Sequence, residues 1–167
     1  MRKLPLLLCL TLAGCGYHAT GRGSLPTSIH SIAVPAFDSQ SRTYKVEQLL
    51  TTAVVREFVT RTNYRISSNA EDADAVLKGI VTSASIAPLT FDPTTGRISS
   101  ALVVVGMRVS LADRKGKVLY ENNQYVFRQQ YQVSREVSSF FEEESPAVER
   151  LSRDFARTLV NDVLEAY

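Results

Sequence analysis

Cysteine and histidine are scarce in this sequence, which contains two of each among 167 residues. The Cys and His residues form no cluster with metal-ligand spacing around His18 or His30, so we expect no metal and no other cofactor. The G-x-S-x-G elbow, the P-loop and the dinucleotide fingerprint are also missing. A Ser-His-Asp triad would have to recruit His30, around which no partner pattern occurs. These absences predict a protein that is not an enzyme.

Long hydrophobic runs are missing too, except for a short one at the start of the chain. Leu4–Leu12 is almost wholly apolar, but it is much shorter than the roughly 20 residues that span a bilayer as a helix. Arg2 and Lys3 precede this run, and the small residues Ala13 and Gly14 follow it. A cationic start, a short apolar region and a small-residue cleavage site are the parts of a secretory signal peptide. We therefore predict that residues 1–14 form a signal peptide and are removed.

Cys15 follows the predicted cleavage site directly. The tetrapeptide Leu12-Ala13-Gly14-Cys15 resembles the bacterial lipobox, in which the cysteine sulfur receives a diacylglycerol before cleavage. One lipid chain anchors only marginally, whereas two or three hold durably. Gly16 occupies the position where Asp would resemble an inner-membrane retention signal, so we expect Cys15 to anchor the protein to the periplasmic side of the outer membrane. The alternative is an ordinary signal peptide with an incidental cysteine.

Net charge disappears once the signal peptide is removed. The full chain has 19 Lys plus Arg against 17 Asp plus Glu, and loss of Arg2 and Lys3 leaves 17 of each sign. Net charge therefore gives no argument for nucleic acid, and we expect no nucleic-acid partner. Cys9 is removed as well. Since Cys15 is consumed by lipid, no intramolecular disulfide can form, and the hydrophobic core must stabilise the fold.

The remaining chain predicts a tether followed by one domain. Residues 15–27 are rich in Gly, Ser and Thr and lack apolar periodicity, which is typical of a linker. Residues 28–167 have the length of a single domain. Amphipathic helices are predicted at 45–62 and from Ser145-Pro146 to the end, where a hydroxyl N-cap precedes proline at the first helical position. Strands are predicted at 29–37, 64–67, 76–86, 101–111 and 118–133, with a polar loop at Asp38–Thr43 and turns at Pro88–Gly96 and Asp113–Gly116.

The alternation of apolar residues indicates which side of each strand is buried. It is clearest in 101–111, and weaker in 76–86 and 118–133. The predicted core sets are Ala101, Val103, Val105, Met107, Val109 and Leu111; Val76, Ile80, Ala84 and Ile86; and Tyr125, Phe127, Tyr131 and Val133. The order of elements predicts an α+β two-layer sandwich, in which a mixed, mostly antiparallel sheet of about four strands carries two helices on one face.

Three groups of side chains are candidates for contact or chemistry. Phe140 and Phe141 are adjacent aromatics in a predicted loop, so one can pack on the core while the other meets a partner protein. Arg97 lies at a hairpin tip, where its guanidinium could bind a phosphate-bearing head group. Glu142, Glu143 and Glu144 could form an acid–base pair, but acidic residues just before a helix are favoured by the helix dipole.

The mature chain resembles the LptE (RlpB) family of outer-membrane lipoproteins from the lipopolysaccharide transport translocon. The matching segments follow the same order and are spread from one end of the mature chain to the other: Cys15-Gly16-Tyr17-His18, Leu25-Pro26 with Ile29, Ile32–Phe37, Ala73–Gly79 and Leu151–Arg157. The most specific of these is Cys-Gly-aromatic-His behind a lipobox. Asp38–Ser41 departs from the pattern, because an Asn-containing turn is expected there, so the role of that loop stays open.

The resemblance implies an α+β sandwich that plugs the lumen of an LptD-like outer-membrane β-barrel, helps to assemble it and contacts lipopolysaccharide in the Gram-negative envelope. Under that hypothesis the Pro88–Gly96 hairpin points into the barrel and Arg97 meets a lipid A phosphate. An alternative comes from the first half of the chain. Its order of strand, helix and second strand also resembles that of periplasm-facing lipoproteins that activate a cell-wall synthase or build a secretion pore. The short tether argues against a protein that must reach across the periplasm.

Overall fold

A computed structural model describes residues 25–41, 46–133 and 140–166, with residues 140–145 described by their backbone only. The fold is a mixed sheet on which two helices pack. Its strands are β1 (Ser31–Ala33), β2 (Asp38–Ser39), β3 (Arg65–Ser67), β4 (Ala75–Phe91), β5 (Ile98–Asp113) and β6 (Val118–Gln132), and its helices are α1 (Glu47–Arg61) and α2 (Phe140–Glu165). A single 3-10 turn, Ala70–Asp72, precedes β4. The predicted α+β class, mixed sheet and two helices are confirmed, and short strands raise the strand count from about four to six.

The parallel part of the sheet is built around β1, which lies between β3 and β4. The strand order is β3-β1-β4-β5-β6, and β1 pairs in parallel with both of its neighbours. Helix α1 therefore crosses over from β1 to a parallel strand, as such pairs require. β2 also pairs in parallel with β4, through Asp38 and Ser39 opposite Ile80 and Val81. The prediction of an irregular loop at that point was wrong for these two residues.

The long hairpins β4–β5 and β5–β6 form the antiparallel part of the sheet. The alternation predicted for β5 is confirmed, because all six of its predicted core residues are buried. The face predicted for the start of β4 was wrong: Ala75, Leu77 and Val81 are buried there, whereas Val76 and Ile80 are only half-buried on the other side. A register shift between Val81 and Ser83 explains the error. One extra residue inverts a period-2 pattern, so that Ala84 and Ile86 return to the core side.

The core lies between the sheet and the two helices. Helix α1 contributes Leu50, Val54 and Phe58, and α2 contributes a longer stripe that includes Leu151, Phe155 and Leu159. Phe155 is the centre of an aromatic cluster, with its ring centroid 6.4 Å from Phe37, 5.9 Å from Tyr125 and 5.2 Å from Phe127. All three contacts are edge-to-face, the geometry that aromatic quadrupoles favour.

Several predicted segments have different ends in the structure, among them the last helix and the tether. Helix α2 begins at Phe140, five residues before the predicted N-cap Ser145, and Pro146 lies inside it. Proline inside a helix removes one hydrogen bond and crowds the carbonyl of residue i−4. It is therefore favoured at the first helical position, but a helix can continue through it. At the other end of the chain, Leu25 belongs to the core, being 2% exposed, and its N–H donates to the Tyr64 hydroxyl. The packed part of the chain thus includes a residue from the segment predicted as tether.

Candidate functional site

The β4–β5 hairpin forms a long arm. β4 continues to Phe91 and β5 begins at Ile98, so the turn is confined to the intervening residues and the predicted turn start at Pro88 was wrong. Pro88 pairs with Ala101 just before a register irregularity at Leu89. A bulge is one of the few places where a strand accommodates proline, because the missing N–H then breaks no ladder bond. The arm is therefore longer than the sequence indicated.

The turn at the end of the arm is closed by Asp92. Its backbone N–H donates to the Arg97 carbonyl at 2.8 Å, and its carbonyl accepts from the Gly96 N–H at 2.8 Å. Its Oδ1 accepts from the N–H groups of Thr94 and Thr95, both at 2.9 Å. Gly96 has a φ of 67°, a conformation that glycine adopts at little cost. This network holds the turn in one shape and sets the backbone position of Arg97.

The arm exposes large apolar side chains. Leu89 is 44% exposed, Phe91 57% and Ile98 40%, and Phe91 pairs directly with Ile98 across the two strands. Arg97, the predicted phosphate contact, is exposed next to this pair. Large apolar side chains clustered on a surface mark a contact site, whereas scattered ones do not. The arm tip is accordingly the candidate functional site, and its apolar part was missed because Pro88–Gly96 was interpreted as an ordinary turn.

Hydroxyl groups line the arm just behind its tip. Thr90 Oγ1 lies 2.8 Å from Ser99 Oγ and 2.7 Å from Ser100 Oγ. Ser100 is 1% exposed, so this pairing satisfies a hydroxyl that would otherwise be buried at a cost. The part of the arm next to the apolar tip is therefore uncharged and internally hydrogen-bonded.

The other predicted site residues are less well described. Cys15, the predicted lipid attachment site, lies outside the described residues. Phe140 and Phe141 fall in the first turn of α2 rather than in a loop, and their side chains lie outside the description. His30 is exposed, and its backbone N–H donates to Asp74 Oδ2 at 3.0 Å. Among the described residues, no group of three His, Cys, Asp or Glu side chains could hold a metal ion.

Two polar networks, neither of them indicated by sequence patterns, hold the body of the domain together. At one end of the sheet, Asp74 Oδ2 accepts from the N–H groups of His30 and Ser31 and from the Ser31 hydroxyl. The His30 N–H bond, followed by the Ser31 hydroxyl, lowers the pKa of Asp74 below its usual value. Arg114 adds a guanidinium Nη2 at 3.8 Å from Asp74 Oδ1. The start of β1 is thereby attached to the start of β4.

The second network joins β6 to α2. The Tyr125 hydroxyl donates to Asp162 Oδ2, and the Tyr120 hydroxyl lies within hydrogen-bond distance of the Tyr125 hydroxyl. Burial, followed by the bonds to Asp162 and Tyr120, raises the pKa of Tyr125. The two hydroxyls provide hydrogen-bond partners for the Asp162 carboxylate. The rest of α2 packs on the sheet through apolar side chains, so this carboxylate would be costly to bury without them. The network therefore fixes α2 against β6.

The fold recurs in solved structures of other bacterial proteins, two of which are described as lipoproteins. Lipoprotein B from Nitrosomonas europaea superposes with a TM-score of 0.57 at 14% identity, covering 86% of this chain and 87% of that one. Rare lipoprotein B from Shewanella oneidensis gives a TM-score of 0.52 at 18% identity, with 78% and 90% covered. The PelC dodecamer of Paraburkholderia phytofirmans gives 0.50 at 15% identity, with 86% and 94% covered. At these identities the likeness concerns the fold alone, and the class that it defines is a class of fold.

Sequence comparison gives the family within that class. No curated protein matches the chain closely enough to count as a relative. The family model of LptE, described as lipopolysaccharide-assembly, matches residues 29–163. The chain belongs to the LptE family, and the resemblance inferred from the sequence is confirmed. It is therefore a lipoprotein of lipopolysaccharide assembly and envelope biogenesis. Neither helix among the described residues has an apolar stretch of the length needed to cross a bilayer.

Proposed function

We propose that this chain is the lipid-anchored outer-membrane subunit of a lipopolysaccharide translocon. In this role it occupies the lumen of an LptD-like β-barrel, supports the assembly of that barrel and contacts lipopolysaccharide. It acts by binding and by shape, without catalysing a reaction. The observation that carries the proposal is the arm. This member of the lipopolysaccharide-assembly family exposes Leu89, Phe91 and Ile98 at one extremity of its sheet.

The position of the arm relative to the anchor supports this role. Leu25 contacts Tyr64, just before β3, at the end of the sheet where β1, β3 and β4 begin. The 17 residues of β4 place the arm tip about 50 Å away from that end, at ~3.3 Å per residue. The ten residues from Cys15 to Leu25 span at most about 35 Å. A lipid at Cys15 thus holds one end of the domain near the membrane, while the arm is long enough to traverse a barrel with an apolar band about 25 Å tall.

Co-purification tests the barrel partner. The triple variant Leu89→Ser, Phe91→Ser and Ile98→Ser removes the apolar tip and leaves the turn closed by Asp92. We expect the wild-type chain to retain an outer-membrane β-barrel protein through affinity purification, identified by mass spectrometry, and the triple variant to lose most of it. The control is Leu49→Ser with Val59→Ser, which removes two exposed apolar side chains from α1. Equal barrel recovery with all three proteins would refute a role for the arm.

Charge reversal tests the lipopolysaccharide contact at the tip. Arg97 is exposed, and a guanidinium fork matches the oxygen geometry of a phosphate. We expect Arg97→Glu to weaken binding of purified lipopolysaccharide, while the equivalent change at Arg56, an exposed residue of α1, does not. Unchanged binding by the Arg97 variant would remove this residue from the proposal.

The anchor and the assembly state can be tested separately. We expect labelled palmitate to enter the wild-type protein and not Cys15→Ala, and the labelled protein to fractionate with outer membranes. The runner-up role, a secretion pore or a synthase activator, predicts a ring of copies or a synthase in the same pull-down. The likeness to PelC concerns the fold alone and does not distinguish the two roles. Native mass spectrometry of the purified protein therefore decides between them. A multimer of this chain without a barrel would favour the runner-up.

A further inference from the structure

β6 forms one edge of the sheet. Among the strands that the structure describes, it pairs with β5 alone. The Val133 N–H donates to the Ser99 carbonyl at 3.0 Å, and hydrogen-bonded rows alternate with non-hydrogen-bonded rows along an antiparallel ladder. In the intervening rows the backbone groups of β6 are therefore directed away from β5, which applies to Val126, Arg128, Gln130 and Gln132. In agreement with this direction, Gln129 Nε2 donates to the Gln130 carbonyl at 3.0 Å.

The outer edges of the sheet differ in how they are protected. β3 has only three residues. Past Val81, the described residues place no strand beside the outer side of β4, but Pro88 and the register irregularity after it interrupt that edge. Short strands, prolines and bulges all hinder the addition of another chain to a sheet. In β6, by contrast, the pairing with β5 is continuous from Gln132 back to Tyr125, and Arg128 is the one charged residue of that stretch.

The sequence of this stretch is nearly symmetric about Gln129. Two positions away on either side are the aromatic residues Phe127 and Tyr131, and four positions away are Tyr125 and Val133. All four flanking residues pack with the core on the helix side of the sheet, where Phe127 and Val133 are only half-buried. If β6 pairs antiparallel with β6 of a second copy and Gln129 lies on the two-fold axis, aromatic residues meet aromatic or β-branched residues. Such cross-strand pairs stabilise a sheet.

Charge favours this register over the neighbouring ones. With Gln129 on the axis, Arg128 lies opposite Gln130 of the second copy, whose side-chain carbonyl accepts hydrogen bonds. An axis at Arg128 would place two arginines directly opposite each other, which is destabilising. An axis at Gln130 would place Gln129 opposite Tyr131. Registers between these would pair residues from opposite faces of the sheet.

We propose that two copies of this chain pair through β6 and form a two-fold dimer with one continuous sheet. The rows that join Val126 to Gln132 and Arg128 to Gln130 each occur twice, and together they supply about eight backbone hydrogen bonds. Antiparallel pairing directs the two arms in opposite directions, so we expect the dimer where the chain is free of a barrel. The proposal goes beyond the proposed function and does not depend on it.

The dissociation constant of the dimer tests the register. It is measured by sedimentation of the full-length lipidated chain, produced without a barrel partner, in detergent with micelles in excess over protein. We expect a concentration-dependent dimer for wild type. Gln130→Arg places like charges opposite each other in two rows and should weaken the dimer about tenfold, whereas Gln130→Glu places opposite charges there and should strengthen it. Adding Arg128→Glu to Gln130→Arg restores the attraction and should recover the loss.

The matched control is Gln132→Arg. It adds the same charge to the same exposed edge but lies opposite Val126, so it should weaken the dimer less than Gln130→Arg. The unfolding midpoint of each variant at low protein concentration should equal that of wild type, because these side chains are exposed on the side of the sheet away from the helices.

Cysteine cross-linking locates the axis. In the proposed dimer, the Cα atoms of Gln129 and its counterpart lie about 4.5 Å apart in a non-hydrogen-bonded row, a separation that a disulfide spans. Mild oxidation of the lipidated Gln129→Cys chain should therefore give a covalent dimer. Val118→Cys, at an exposed position near the start of β6, and wild type should give none.

Three results would overturn the proposal. The first is a wild-type chain that stays monomeric at every concentration. The second is a shift of the dissociation constant in the same direction by Gln130→Arg and Gln130→Glu, since Arg128 would then not lie opposite that residue. The third is a ring or a longer assembly, because a two-fold contact closes with two copies.

Discussion

Asp74 and Ser31 bind each other through four hydrogen bonds across 43 residues of sequence. The Ser31 N–H and hydroxyl donate to Asp74 Oδ2 at 3.1 and 2.9 Å. In return, the Asp74 N–H donates to the Ser31 hydroxyl at 3.0 Å and to its carbonyl at 3.1 Å. The pair joins the start of β1 to the start of β4 and so fixes the parallel register from which the long arm extends.

Asp74→Asn should therefore destabilise the domain at neutral pH. The pKa of Asp74 is lowered by the His30 N–H and the Ser31 hydroxyl, so the ionised form contributes stability above the usual carboxyl pKa of about 3.9. That stability is lost as the pH falls through the lower folded-state value. We expect urea midpoints of wild type and variant to differ at pH 7 and to converge as the pH falls below the lowered pKa of Asp74. Asp154→Asn, at an exposed position of α2, should follow the wild-type curve at every pH.

Gly79→Ala should destabilise the core by overpacking. The added Cβ would lie 2.8 Å from the Cγ and Cδ1 atoms of Phe37. That ring is 3% exposed and packs edge-to-face on Phe155, so it has little room to move. We expect the free energy of unfolding to fall by about 1–3 kcal/mol. In a double-mutant cycle, Phe37→Leu should relieve part of the cost, and strict additivity would contradict the steric explanation.

Tyr125→Phe should weaken the attachment of α2 to β6. It removes the hydroxyl that donates to Asp162 and leaves Tyr120, at 3.5 Å, as the remaining tyrosine near that carboxylate. Loss of a hydrogen bond to a charged acceptor costs about 1.5–3 kcal/mol, measurable by urea unfolding. Tyr120→Phe leaves the Tyr125–Asp162 bond in place and should cost less.

The pH dependence of the same network gives a second check. Because the pKa of Tyr125 is raised, the protonated phenol contributes stability below the usual tyrosine pKa of about 10, and this stability is lost as the pH rises further. Wild type should therefore lose stability more steeply above pH 10 than Tyr125→Phe. If the stability of the two proteins falls in parallel above pH 10, the pKa of Tyr125 is not raised.

Phe140→Ala with Phe141→Ala tests the predicted partner contact at the start of α2. We expect barrel recovery in the pull-down to fall while the unfolding midpoint of the purified chain changes little. The control is Leu151→Ala, a fully buried position of the same helix, which should lower the midpoint by the ~2–5 kcal/mol typical of core truncation. A large stability loss from the phenylalanine pair, with the barrel retained, would assign both residues to core packing.

Sequence reasoning recovered the elements whose signals are local. The alternation in β5 and the apolar stripe of α1 each reflect a period that one strand or helix imposes on its own residues, which is why both were predicted. The glycine turn after Asp113 was predicted from a contiguous turn sequence, and the mixed sheet was predicted from the order of helices and strands. Errors occurred where one extra residue inverts the alternation of a strand, as at the bulge after Val81. They also occurred where a strand or a helix continues through a proline, as at Pro88 and Pro146.

By itself, the sequence determined the class of fold and the family, because the patterns that indicate them lie in contiguous residues, and it predicts the export and lipid signals around Cys15. The tertiary structure alone decided what the surfaces present. The reach of the arm depends on strand pairing that continues past Pro88, and the contact of Asp74 with Ser31 depends on the parallel pairing of β1 with β4. Both follow from hydrogen bonds between residues far apart in the chain, and no local pattern encodes such pairings.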